Sequence, residues 1–191
     1  MSGKLYKKDE NQSSFKACPW SKKDAILIRV WEVVWTLFVR WLPKPFYRWH
    51  VLLLKVFGCK IHGHVFVAPT ARVYAPWLLE MGRNSCLATR SEVYNLGPVK
   101  IGERVTIAQY VYICNGTHDL SDPILPLLVG DISIEDDVFI GAKAIILPGL
   151  KVDTGTVIGA GSVLTKDTAP YEIYAGNPAK FIKKRIIKEN L

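Results

Sequence analysis

A six-residue period runs through the C-terminal two-thirds of this chain. Steps of six from Ile61 land on Val67, Val73 and Leu79. After a skip of two they land on Met81, Leu87, Val93 and Val99, and after a second skip on Ile101, Ile107 and Ile113. Past an irregular stretch the steps resume at Ile134, Ile140, Ile146, Val152, Ile158 and Leu164. All 17 stations are aliphatic although Ile, Val, Leu and Met supply only 56 of the 191 residues, so the period is a structural repeat and not a compositional accident.

A period of six matches neither the 3.6 of a helix nor the two of a strand. It matches a coil in which every hexad makes one short strand and one corner. Four residues beyond most stations stands a small or β-branched residue, from Val65, Ala71, Ser85 and Ser91 through Val105, Val111 and Thr117 to Val138, Ala144, Thr156 and Ser162, with Trp77 and Leu150 the bulky exceptions. A large aliphatic paired with a small residue near the corner suits a narrow prism. Gly or Ala often follows the station, as tight corners favour.

Six phrases carry a family resemblance: Val73–Met81, Tyr94–Gly102, Asn115–Asp119, Val138–Gly149, Ile158–Asp167 and Tyr174–Lys180. Over residues 61–180 the chain resembles the left-handed β-helix, hexapeptide-repeat acyltransferases, and within them the acetyltransferases of exopolysaccharide synthesis of the colanic-acid type. The resemblance, not the period, supplies the left hand. The expected fold is all-β: a left-handed parallel β-helix with an N-terminal helical extension and a short C-terminal helix. The expected division is residues 1–60 for the extension, 61–169 for the prism with a loop at 119–133, and 170–191 for the C-terminal segment and helix.

Charge separates the extension from the prism. Residues 1–60 hold 12 Lys and Arg against 4 Asp and Glu, whereas residues 61–191 hold 13 against 13. The chain's whole formal net charge of +8 and five of its six tryptophans therefore lie before the repeat begins. Residues 1–23 are polar and basic and are expected to be poorly ordered. Asp24 suits an N-cap for an apolar helix over Ala25–Val39; Pro43 and Pro45 break it, and a second helix-like run over Phe46–Phe57 ends at Gly58. Neither run reaches the ~18–20 apolar residues of a membrane span. Two readings stay open and are compatible: the helices cap the first coil, or their Trp-rich, basic edge contacts a membrane surface. No nucleic-acid motif accompanies the basic residues. Cys18, Cys59, Cys86 and Cys114 show no paired spacing and no cleavable leader precedes them, which reads as reduced and cytoplasmic, with peripheral contact at the inner membrane face as the alternative.

The repeat is interrupted after one hexad only, Ile113–His118, before Asp119–Ser133 leaves the period. Interruptions of a regular solenoid are where function is commonly lodged. The resemblance makes His118 the general base and Asp119 a candidate to hold its tautomer. It implies acetyl-CoA as co-substrate, which needs only deprotonation of an attacking hydroxyl by a neutral imidazole. The oxyanion donor falls at Gly141–Ala142; many relatives carry Ser where this chain has Ala142, leaving a backbone N–H for that role. The pantetheine arm is expected along Gly141, Ala142, Gly159 and Ala160, with Thr165 and Lys166 continuing the edge. Pro178 lies in the Gly176–Lys180 segment, and Lys180 and Lys183 are expected against the CoA phosphates. Asn95 and Asn115 are candidate acceptor contacts, with a structural asparagine ladder as the ordinary alternative.

His62 and His64 invite a metal reading, but the zinc-binding relatives on this fold need two histidines five apart and a third on a neighbouring coil, so no metal is expected. The resemblance further implies a homotrimer with active sites between subunits. The function expected is an O-acetyltransferase acting on a sugar hydroxyl, the acceptor being a sugar or lipid-linked glycan in exopolysaccharide or surface-glycan synthesis. The alternatives are a small acceptor (maltose, galactoside, serine or an antibiotic) or a non-catalytic or carbonic-anhydrase-like solenoid.

Overall fold

The computed structural model of the chain describes residues 5–9, 20–39, 41 and 46–187. The repeat folds into a triangular solenoid with three parallel faces. Face 1 stacks Lys60–Ile61, Leu79–Met81, Val99–Ile101, Ile132–Ile134 and Lys151–Val152. Face 2 stacks Val65–Val67, Ser85–Leu87, Thr106–Ile107, Phe139–Ile140, Val157–Ile158 and Glu172–Ala175. Face 3 stacks Arg72–Val73, Glu92–Tyr94, Tyr112–Cys114, Ile145–Ile146 and Val163–Leu164.

Register converts the period into three vertical columns. Ile61, Met81, Ile101, Ile134 and Val152 stand over one another on face 1. Val67, Leu87, Ile107, Ile140, Ile158 and Tyr174 do so on face 2, and Val73, Val93, Ile113, Ile146 and Leu164 on face 3. Every station is buried except Ile61, which lies half-buried in the first coil and packs against the core. The two-residue skips lengthen face 1 by one alternating step, so Leu79 and Met81, like Val99 and Ile101, both point inward. A β-carbon on Gly141 would lie 2.6 Å from the amide nitrogen of Ala160, so the coils at that corner stack too closely for a side chain.

Two helices cover the open end: α1, Lys22–Phe38, and α2, Tyr47–Val56. Alternate residues of a parallel strand bond to the coil on either side, so one set in the first coil has no coil to meet. Indole N–H groups fill the gap. Trp31 Nε1 donates to Val73 O at 2.7 Å and Trp35 Nε1 to Ala71 O at 3.0 Å. His50, buried against Trp35, faces Val67 O through Nδ1 at 3.3 Å, and burial holds its pKa below the usual value. The capping reading of the extension thus has a direct basis, since tryptophan is apolar in body and only a donor at its edge. At the far end the roles reverse: Lys151 N donates to Asp167 Oδ1 and Asp153 N to Thr168 Oγ1, both at 2.8 Å.

Three expectations need correction. Helix α1 begins at Lys22 with Ser21 as N-cap, not at Asp24; Ser21 Oγ accepts from Asp24 N at 3.1 Å and donates to the Asp24 carboxylate at 2.7 Å. The C-terminal segment is not helical within the described residues. Glu172–Ala175 starts another coil on face 2, and Lys180–Lys184 folds back on it antiparallel, because an open sheet edge is satisfied by a strand and not by a helix. Tyr174 packs on Phe181, Lys184 pairs with Glu172 at 2.6 Å, and Arg185 donates to Asp137 O and Gly155 O. Residues 5–9, expected to be poorly ordered, include a strand, Tyr6–Lys7, that pairs with Leu127–Val129. The same expectation for residues 1–4 and 10–19, the breaks at Pro43 and Pro45, Cys18, and a helix over 188–191 lie outside the described residues. No helix among the described residues is long and apolar enough to cross a membrane.

Replacing Trp31 by Phe keeps an aromatic ring but leaves Val73 O without its donor. Trp31→Phe is expected to destabilise the protein by about 1–3 kcal/mol, read as a lower urea midpoint at unchanged slope. An unchanged midpoint would contradict the capping role.

Candidate active site

The widened passes of the first three coils share one corner, between faces 3 and 1. Val73 and Met81 are eight residues apart, as are Val93 and Ile101, while Ile113 and Ile134 are 21 apart. A wide corner leaves backbone groups without neighbours, and two asparagines satisfy them. Asn95 accepts from Ala75 N at 2.9 Å and donates to Ala75 O at 2.7 Å. Asn115 Oδ1 accepts from Leu96 N and Gly97 N, and its Nδ2 donates to Pro98 O at 3.3 Å. Both residues are 0% exposed. Asn95 and Asn115 are therefore corner supports and not acceptor contacts, because every polar atom of each side chain is spent on backbone inside the prism.

From this corner a ribbon projects. Gly116–His118 pairs antiparallel with Leu127–Val129, and Tyr6–Lys7 forms the third strand on the outer side of Leu127–Val129. The neck closes where Gly130 N donates to Asn115 O at 2.9 Å. His118 is exposed, and its Nδ1 lies 2.7 Å from Leu125 O. A carbonyl only accepts, so in the neutral ring Nδ1 carries the proton and Nε2 keeps its lone pair. Leu125 presents that carbonyl from a left-handed backbone conformation, φ 51°. The orienting group is thus a main-chain oxygen, which no side-chain motif announces. Asp119 does not take that part. Its carboxylate accepts from Ser121 N at 3.0 Å and Ser121 Oγ at 2.6 Å, which hold its pKa below the ordinary carboxylate value, and it shapes the loop.

The residues expected to bind the cofactor lie elsewhere. Gly141–Ala142 and Gly159–Ala160 stack at the corner between faces 2 and 3; Gly141 N donates to Ile158 O and Gly161 N to Ala142 O, both at 2.8 Å. The column continues through Ala175 to Lys180, its antiparallel partner. Pro178 lies in the exposed turn before Lys180, and Lys183 faces Ile173 from the outer strand. Lys180 and Lys183 are exposed, whereas Lys184 and Arg185 are committed to the fold. Thr165 and Lys166 follow the last strand of face 3, at the corner that carries the ribbon two coils earlier. One chain therefore groups Gly141, Ala142, Gly159, Ala160 and Lys180 along one edge and sets His118 on another. His62 Nε2 lies 3.3 Å from Glu80, His64 is exposed, and no cluster of three His, Cys, Asp or Glu side chains that could hold a metal occurs among the described residues.

These features define the class: the chain belongs to the hexapeptide-repeat transferase family and is an acyltransferase. Residues 131–166 match the family model for "Bacterial transferase hexapeptide (six repeats)". The chain is 31% identical over 166 residues to the putative colanic acid biosynthesis acetyltransferase WcaF of Escherichia coli (strain K12), spanning 87% of this chain and 91% of that protein. A crystal structure of a maltose O-acetyltransferase from Clostridium difficile 630 superposes with a TM-score of 0.80 at 25% identity, over 97% of this chain and 95% of that one. The hexapeptide-repeat acetyltransferase VCA0836 from Vibrio cholerae O1 biovar eltor, solved with acetyl-CoA, shares the fold at a TM-score of 0.77 and 20% identity, over 87% and 91% of the two chains.

Truncating either asparagine leaves buried backbone groups unpaired. Asn95→Ala and Asn115→Ala are each expected to cost about 2–4 kcal/mol of stability, with the acceptor KM of the folded enzyme unchanged. A raised acceptor KM at unaltered stability would restore them as substrate ligands.

Proposed function

We propose that the protein transfers an acetyl group from acetyl-CoA to a sugar hydroxyl in the synthesis of an exopolysaccharide or surface glycan, with His118 as general base. One observation carries the reading: Nδ1 of His118 is held on Leu125 O, which leaves Nε2 exposed as the proton acceptor. The names of the similar proteins, a colanic acid acetyltransferase and a maltose O-acetyltransferase, support a saccharide acceptor.

In this reading Nε2 takes the hydroxyl proton as the oxygen attacks the thioester carbonyl. The tetrahedral oxyanion meets the backbone N–H of Ala142, since Gly141 N–H is bonded to Ile158 O and Ala142 has no hydroxyl to offer. The C–S bond then breaks, and the imidazolium returns its proton to the leaving thiolate. The pantetheine arm runs along Gly141, Ala142, Gly159 and Ala160, Thr165 and Lys166 extend the cleft, and Pro178 sets the turn that brings Lys180 and Lys183 to the CoA phosphates. Because His118 and Gly141–Ala142 occupy different corners of one prism, the site is completed between chains, in a homotrimer. His118→Ala is expected to lower kcat by ~10²–10⁴ with little change in the acetyl-CoA KM, measured as thiol release over a panel of acceptor sugars. Undiminished release would overturn the assignment.

The extension adds a location to this reading. Helix α1 buries Ile28, Trp31 and Trp35 and exposes Ile26, Val30, Val33 and Leu37 at helical spacing, beside exposed Trp41, Trp49, Leu52 and Val56. That apolar stripe and the +8 charge of residues 1–60 suit the anionic inner face of the cytoplasmic membrane. The full chain is expected to co-sediment with vesicles containing anionic phosphatidylglycerol and to lose binding on Val30→Glu plus Val33→Glu. Equal sedimentation of wild type and variant would leave the helices a capping role alone.

A further inference from the structure

We infer that Leu5–Lys8 is a strap that positions His118 from outside the prism, an inference that rests on His118 being the base. The ribbon bearing His118 is a two-strand excursion, and such a hairpin is marginal by itself. Its inner strand, Gly116–His118, has Leu127–Val129 as neighbour, and that strand has the strap as its other neighbour. Lys8 N donates to Leu127 O at 3.0 Å, and Leu127 is the register partner of His118. Two residues before Leu127 lies Leu125, whose carbonyl fixes the imidazole. A hydrogen bond made by residue 8 therefore bears on the tautomer and aim of residue 118.

The strap is tied at both ends. Tyr6 Oη donates to Asp131 Oδ1 at 2.9 Å, where the ribbon rejoins face 1, and burial with this carboxylate pushes the phenol up to about 12, so it stays a donor. Lys8 Nζ donates to Leu96 O and lies 4.3 Å from the ring centroid of Trp20, which packs on Tyr74 at the entrance to α1. The corner beneath is cut to admit it. A β-carbon on Gly97 would lie 2.5 Å from Val129 Cγ1 and 2.9 Å from Tyr6 Oη, so any side chain there displaces strap and ribbon together. Among the described residues the strap's backbone pairs with Leu127–Val129 alone, which marks it as an attachment to the ribbon.

Three full-length variants isolate the bond. Lys8→Pro removes the donating N–H. Lys8→Ala removes only the side chain. Lys7→Pro places proline where the antiparallel ladder turns the N–H away from Leu127–Val129. Lys8→Pro is expected to lower kcat by about tenfold to a hundredfold, with the acetyl-CoA KM within about twofold, the melting temperature near wild type, and faster hydrogen exchange at the Leu127 and Val129 amides. Lys7→Pro is expected to keep kcat within about threefold, and Lys8→Ala, which cuts the side-chain tie to Leu96 O but keeps the N–H, to lose clearly less than Lys8→Pro. The strap is overturned if Lys8→Pro matches Lys8→Ala in kcat, if Lys7→Pro loses as much, or if the loss comes with a collapse in melting temperature. His118→Ala in the same assay separates the two ideas: survival of transfer there overturns the base, whereas its loss beside a fully active Lys8→Pro overturns the strap alone.

Discussion

Everything in this molecule depends on stacking one coil on the next in register. Alternate residues of each short strand bond to the coil above and the coil below, and each aliphatic station lands on another aliphatic station. A shift by one residue would turn every buried column outward, so register is strongly specified. The solenoid therefore tolerates variation at corners, and its two ends, like the wide corner, leave backbone that the next coil does not pair. Those ends are where the sequence departs from the repeat: indole donors at the first coil, carboxylate and hydroxyl acceptors at the last.

The same constraint explains where chemistry can sit. The close corner at Gly141 has no room to change length, whereas the passage from face 3 into face 1 has already been lengthened twice before the chain reaches Cys114. The 21-residue run from Ile113 to Ile134 is a further lengthening of that passage, braced from inside by Asn95 and Asn115. A rigid frame holds the root of the ribbon, and the ribbon carries one histidine with one ring nitrogen already engaged. Pre-organisation of that kind suits a base that has only to accept a proton from an oriented hydroxyl.

Much of this was legible in the residues, and the failures share a cause. The period located the buried columns from Val67 to Leu164, and its interruption marked where the ribbon leaves the prism, because one is a repeat and the other a break in it. Asn95 and Asn115 read as polar residues near a site, but their bonds go to Ala75, Leu96, Gly97 and Pro98, and a sequence does not print which backbone groups a wide corner leaves open. The C-terminal segment reads as a short helix, but an open sheet edge selects a strand over Lys180–Lys184. The strand at Tyr6–Lys7 is too short to show alternation. Leu125 acts through its carbonyl, for which the side chain gives no sign.

In the proposed mechanism a main-chain carbonyl sets the protonation of His118 so that Nε2 is the base. Nitrogen NMR of the imidazole in the neutral state reads this directly. The expected result is a proton on Nδ1, bonded to the Leu125 carbonyl, with Nε2 unprotonated. A neutral ring carrying its proton on Nε2 would contradict it.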